Sequence, residues 1–261
     1  MGKLSRRVLD GGLATSLQRE GLARHTPIHA WLREHPDRIL RVHRDFVHAG
    51  AQGLLTGTFR TLEPVDSEWD SLADIAVDLA CTAGAGKAWI WGSIGPAAGP
   101  HWANQSPKEQ GRWRTAWTDL ARRIGDRVHG LVLETFVDVP QARAALEAAK
   151  TACPDLTVAV CLVPTENARL ANGQPVRHAL ETLRIAGADI LGFNCATPLA
   201  IERSVECARG VGPLWAKPSA GEHLRDALVR LSDSCEWVGG CCGVDTTDIQ
   251  RVAPRVRARH A

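Results

Sequence analysis

Tyrosine is absent from the 261 residues while tryptophan occurs nine times, and Arg far outnumbers Lys; neither bias points to a function. Other absences exclude more. No apolar run approaches the roughly 20 residues that a membrane span requires, and no clustered basic face precedes the C-terminus of a chain whose net charge is +2. The field therefore offers no case for a nucleic-acid partner, and the Arg-rich end from Arg251 to Arg259 reads as a solvated last helix. Met1 to Arg7 are too polar and too few for a signal peptide, so a cytoplasmic protein with no membrane contact is expected. No dinucleotide fingerprint follows the first strand, because Asp10-Gly11-Gly12-Leu13-Ala14-Thr15 is not G-x-G-x-x-G. No linker, repeat or low-complexity segment interrupts the chain, which predicts one domain over residues 1–261. No heptad run fixes a subunit count.

What is present is an alternation. Strand-like apolar runs cover Arg7–Gly11, Gly53–Gly57, Ala88–Ile94, Val128–Thr135, Thr157–Val163, Ala188–Cys195, Pro213–Lys217 and Glu236–Cys241. Helical patterns lie between them at Pro36–Ala49, Ser71–Ala83, Pro107–Ile124, Pro140–Lys150, Pro175–Ala186, Pro198–Arg209, Glu222–Leu231 and Thr246–Arg257. Several open on proline, whose missing N–H is harmless in a first turn. Glycines at 50 and 187 stand just past a helix, the usual C-cap place. Eight strands alternating with eight helices predict an α/β fold, a single closed (β/α)₈ barrel, with its active face at the C-terminal ends of the strands. Asp10, Thr56, Thr58, Ser93, Glu134, Cys195, Cys241 and Cys242 all fall at that end.

Eight cysteines in an enzyme-sized chain expected in a reducing compartment argue against a disulfide framework. Cys81, Cys153, Cys161, Cys207 and Cys235 sit in apolar settings and read as small buried hydrophobes. Cys195, in Gly192-Phe193-Asn194-Cys195, and Cys241 with Cys242, in Gly239-Gly240-Cys241-Cys242-Gly243, follow apolar strands instead. Three thiolates meeting there suit zinc and leave one position open. Adjacent side chains of a regular strand point to opposite faces, so Cys241 and Cys242 share an ion only if the glycines let the backbone leave β geometry; a vicinal disulfide is the competing reading. An open position would take a thiol, lower its pKa and hold it as a nucleophilic thiolate. Methyl transfer from a sulfonium or ammonium donor fits such a site, since it needs alignment and charge placement. Asp10 or Glu134 would hold an α-ammonium group, and Thr58 and Ser93 would donate to a substrate carboxylate.

DGGLAT (10–15), HPDRILRVHRDFVHAGA (35–51), GSIGP (92–96), LET (133–135), GFNC (192–195) and GGCCG (239–243) run in one order along nearly the whole chain. Together they resemble the homocysteine S-methyltransferase family of zinc-dependent (β/α)₈ barrels. The resemblance implies that Cys195, Cys241 and Cys242 ligate Zn²⁺. It implies that Asp10 and Glu134 hold the amino end of homocysteine, with Asn194 in the ligand-bearing motif, and that homocysteine is methylated to methionine as a zinc-bound thiolate; Gly11, Thr58 and Ser93 complete the expected substrate-binding set. S-methylmethionine or S-adenosylmethionine is the expected donor. Departures fall on the donor side: Ile28-His29 stand for Leu-Trp, Gly57 for Asn, Phe59 for Tyr, and Ser219 for Asn after Pro218. The stretch from Gly95 to Trp113 is short and lacks the acidic, tyrosine-containing segment of many relatives. Trp102, Phe59 and Phe136 are the aromatic candidates for facing a cationic donor. Two further readings stay open: the same chemistry on another thiol or selenol acceptor or donor in specialised metabolism, and a non-catalytic thiol- or zinc-binding protein.

Overall fold

The computed structural model describes residues 7–24, 26–62, 68–98 and 101–258. Residues 1–6, Arg259 at the basic end, and Gly99 and Pro100 of the short segment before Trp113 lie outside the described residues.

Eight parallel strands form one sheet: β1 (Arg7–Val8), β2 (Gly53–Leu55), β3 (Trp89–Ile94), β4 (Gly130–Phe136), β5 (Val158–Leu162), β6 (Ile190–Asn194), β7 (Leu214–Lys217) and β8 (Trp237–Val238). From β2 onward each pairs with the next, and β8 pairs with β1. A bridge between Leu9 and Gly53 completes the ring, with Gln52 N donating to Val8 O at 2.6 Å and Asp10 N to Gly53 O at 2.9 Å. The expected (β/α)₈ barrel is the observed one. The first and last strands are shorter than their apolar runs, because Gly239 and Gly240 leave the ladder and the chain turns at Asp10.

Ten helices surround the barrel among the described residues: α1 (Leu13–Arg19), α2 (His29–Glu34), α3 (Pro36–His48), α4 (Trp69–Gly84), α5 (Pro107–Gly125), α6 (Val139–Ala152), α7 (Val176–Ile185), α8 (Pro198–Cys207), α9 (Leu224–Leu231) and α10 (Thr246–Ala258). Proline occupies the first turn of α3, α5, α6 and α8. Ser106 and Glu109 cap α5 reciprocally, a device that satisfies two orphan N–H groups. Gly50 and Gly187 adopt φ +102° just after α3 and α7, as their positions predicted. α1 and α2 had no counterpart among the expected helices; both are short, and both lie in the β1–β2 connection that roofs the mouth.

Two apolar layers result from the period of two along each strand. Ile90, Leu131, Leu133, Val160, Leu191 and Phe193 face outward into the shell beneath the helices. Leu9, Leu55, Trp91, Val132, Ala159, Cys161, Ile190, Trp215 and Trp237 fill the interior. The cysteine reading is corrected at one position: Cys161 and Cys235 are buried and Cys81 and Cys153 half-buried, but Cys207, the last residue of α8, is exposed.

Candidate active site

Two residues beyond the apolar interior layer, the same inward face of each strand turns polar. Trp91 is followed by Ser93, Val132 by Glu134 and Trp215 by Lys217, so alternation stacks a charged layer on the tryptophan floor. A cavity of about 350 Å³ opens above it, lined among others by Asp10, Gly11, Thr15, Glu134, Thr135, Cys195, Lys217, Cys241 and Cys242.

The three predicted sulfurs converge. Cys195 Sγ lies 2.9 Å from Cys241 Sγ and 3.6 Å from Cys242 Sγ, and all three lie within 4.8 Å of one another. All are free thiols, so the vicinal disulfide is not formed. A tetrahedral zinc with bonds of roughly 2.3 Å holds its sulfurs about 3.8 Å apart, slightly wider than the 2.9 and 3.6 Å that separate Cys195 from the other two. The backbone departs from β geometry as the adjacent pair requires. Gly243 sits at φ +81°, and a Cβ on Gly240 would come 2.1 Å from Val244 Cγ1, so one glycine supplies a left-handed turn and the other space. Cys241 N donates to Pro218 O at 2.8 Å, and Gly243 N to Thr15 Oγ1 at 3.0 Å. Cys195 itself adopts φ +58°, an uncommon conformation for a residue with a side chain.

Electrostatics agree with a cation-seeking trio. Hydrogen bonds from Cys195 and Cys241 pull the Cys242 thiol down to about 3. Cys241 is pushed well up by its contacts with Cys195 and Cys242 and by burial. Cys195 is drawn down by Cys241 but raised more by Cys242 and burial, to about 12. The cluster thus carries one negative charge readily, and a second or third only beside a positive ion. Such a trio suits a metal ion that takes thiolate ligands.

Glu134 is held by a small network. Ser93 Oγ donates to its Oε1 at 2.5 Å and Asn194 Nδ2 to its Oε2 at 3.2 Å. Asn194 also bonds Thr135 twice, accepting from its N at 2.9 Å and donating to its Oγ1 at 2.8 Å. Thr135 stands at φ +68°, a strained setting for a β-branched residue. Burial raises the Glu134 carboxyl above the usual range, with Lys217 and Ser93 opposing. Thr58 donates its hydroxyl to Ser93 O at 2.6 Å. Thr58, Ser93 and Asn194 are fully buried and stand behind the cavity wall rather than in it.

Asp10 is 1% exposed and both its oxygens are engaged, Oδ2 by Leu55 N at 2.8 Å and Oδ1 by Lys217 Nζ at 2.5 Å. Lys217 was missed in the sequence. Its signal was present, since it is the inward-facing residue two after Trp215 at a strand end. Burial alone would lower its pKa, but Asp10 and Glu134 outweigh that and hold it above the ordinary lysine value. Ile28, His29, Gly57, Phe59 and Arg60 also line the cavity. Of the three aromatic candidates only Phe59 lies there. Trp102 packs on Trp117 with centroids 5.5 Å apart, and Phe136 on the same ring at 6.3 Å.

The sequence model of the family described as homocysteine S-methyltransferase matches residues 7–256. S-methylmethionine–homocysteine S-methyltransferase of Mus musculus is 29% identical over 244 residues, which cover 92% of this chain and 61% of that protein. Homocysteine S-methyltransferase 1 of Arabidopsis thaliana is 24% identical over 97% of this chain and 94% of its own. This chain spans 50–61% of the length of the mammalian S-methylmethionine-dependent proteins it matches. The homocysteine methyltransferase MmuM of Escherichia coli, solved in a metallated form, superposes with a TM-score of 0.78 at 24% identity, covering 96% of each chain, and so shares the fold.

Proposed function

The chain belongs to the homocysteine S-methyltransferase family, and from that membership we propose that it methylates the sulfur of homocysteine to give methionine. The observation that carries the reading is the convergence of three free Cys Sγ atoms within 4.8 Å beside a cavity that also holds Glu134. Cys195, Cys241 and Cys242 would hold a zinc ion. Bound there, zinc supplies an open position at which a thiol loses its proton at neutral pH. The remaining work falls to the protein. Glu134, steadied by Ser93 and Asn194, accepts from the α-ammonium of the acceptor, while Asp10, expected to share that role, is engaged by Lys217. Gly11 shapes the wall, and Thr58 locks the Ser93 carbonyl. With its proton gone, the acceptor sulfur forms a bond to the methyl carbon as the donor's C–S⁺ bond breaks and a neutral thioether leaves. S-methylmethionine or S-adenosylmethionine is the donor on this reading. We assign the chemistry to one barrel domain over residues 1–261 and place it in the cytoplasm, where the eight free thiols stay reduced. Among the described residues no helix is long and apolar enough to cross a membrane.

A second reading, another thiol or selenol acceptor or another donor, is favoured by one observation: His29 and Arg60 line the cavity, and the acids that line it, Asp10 and Glu134, are already engaged on the acceptor's behalf. Metal analysis together with mass spectrometry of methylated products, using a panel of thiols and donors, separates the two. The first expects one zinc per chain and methionine from homocysteine. Full activity in metal-free protein would end both.

A further inference from the structure

The proposed chemistry leaves Lys217 without a task. It ends β7 in the wall of the cavity and is 2% exposed. An ammonium group has three donors and no acceptor, and buried donors are nearly always matched. Among the described residues a single acceptor meets it, Asp10 Oδ1 at 2.5 Å. Its charge is felt by Glu134, Cys241 and Cys242, but no hydrogen bond joins it to them. Thr58 and Ser93, the hydroxyls expected to receive an acceptor's carboxylate, are turned elsewhere: Thr58 donates to Ser93 O and Ser93 to Glu134. The wall therefore lacks its expected carboxylate donors and holds a cation with donors to spare.

We propose that Lys217 is the anchor for a carboxylate on the thiol acceptor, held in place by Asp10, while Glu134 is left to the acceptor's ammonium. The proposal rests on the thiol-binding reading of the site and adds which group recognises which end. Lys217 and Glu134 set opposite charges in the wall of one cavity, a match for the zwitterionic end of an amino-acid thiol whose sulfur lies at the cysteine trio. Arg60 is the other cation that lines the cavity, and it serves as the control.

Two analogues test the assignment in zinc-loaded protein by calorimetry: 4-sulfanylbutanoate, which is homocysteine without its ammonium, and propane-1-thiol, which lacks the carboxylate as well. Wild type should bind the carboxylate-bearing thiol about 30-fold tighter or more, the usual weight of a buried charge-assisted hydrogen bond. Lys217→Met should shrink that ratio below about threefold at unchanged zinc content, and Arg60→Ala should keep it. Because Lys217→Met leaves Asp10 buried without a counter-charge, the double variant Asp10→Asn/Lys217→Met is measured beside it, and the wild-type ratio needs no variant. A ratio near one in wild type, a ratio retained in both Lys217 variants, or one lost in Arg60→Ala would overturn the proposal. Carboxylate preference without methyl transfer from any sulfonium donor would instead defeat the methyltransferase reading and leave Lys217 in its role. Methyl transfer to thiols bound without regard to a carboxylate would do the reverse.

Discussion

The floor of the barrel and its mouth are built from the same strands two residues apart, yet they obey opposite rules. On the floor Trp91 meets Trp215 and Trp237 edge to face, with centroids 5.0 and 5.3 Å apart. The Arg7 guanidinium covers Trp89 at 4.3 Å. Trp91, Trp215 and Trp237 gain from burial and from quadrupole geometry, and they ask little of the backbone. One layer up, Asp10, Lys217, Ser93 and Asn194 bury charged and polar groups with Glu134 half-buried beside them, and Thr135 and Cys195 sit in left-handed conformations. Such conformations cost on the order of 1–3 kcal/mol each. The floor supplies stability without chemistry, and the mouth holds reactive groups at an energetic cost that the floor offsets.

Four measurements would break or sharpen that contrast. Cys241→Ala removes a ligand and should abolish stoichiometric zinc and lower methyl transfer by about a thousandfold or more, while the fold survives in circular dichroism. Substantial zinc or activity in this variant would show that the trio is not the metal site. Trp215→Ala should cost roughly 3–5 kcal/mol in chemical denaturation. In its folded fraction, acceptor affinity should hold within about twofold, since Lys217, two residues on, is held by Asp10 rather than by the ring; a large loss of affinity would mean that floor and mouth are one unit. Glu134→Gln keeps the shape and removes the charge. It should raise KM for homocysteine by about 10- to 100-fold, more than it lowers kcat, and spare thiols that lack an amino group.

The smallest effect concerns His43 on α3, fully buried and with no hydrogen-bond partner for either ring nitrogen among the described residues. Burial pushes its pKa from 6.5 down to about 4, against the pull of Asp10. The unfolded chain therefore takes up a proton that the folded one refuses. The stability this contributes is complete above the unfolded pKa and is lost as pH falls toward the folded one. Between pH 7 and 5 the loss attributable to His43 should be about 2 kcal/mol, read as the difference in urea unfolding between wild type and His43→Leu. Equal pH slopes in the two proteins would show that the ring is not held neutral.

The barrel was legible because strands buried on both faces leave near-continuous apolar runs, and eight such runs alternated with amphipathic segments. Its ends were less so. Glu236–Cys241 reads as one strand, yet only Trp237–Val238 is in the ladder, because the glycines that follow serve the cysteines. α1 was hidden by its seven-residue length and by its overlap with the DGGLAT motif. At the site, the sulfur trio was legible from thiols beside glycines. Thr58 and Ser93 stood at the right strand ends but turn their hydroxyls into the wall. Whether a strand-end hydroxyl faces the cavity depends on partners more than thirty residues away, and Ser93 with Glu134 is such a pair, 41 residues apart.

By itself the sequence determined the barrel, the apolar floor and the identity of the three sulfurs, because each follows from local periodicity or from rare residues in a rare spacing. The tertiary structure alone decided how charge is distributed over the mouth. Lys217 and Asp10 are 207 positions apart and meet only because β7 and β1 flank β8 in the closed ring. A buried ion pair depends on distance and desolvation, and neither is written in any stretch of neighbouring residues.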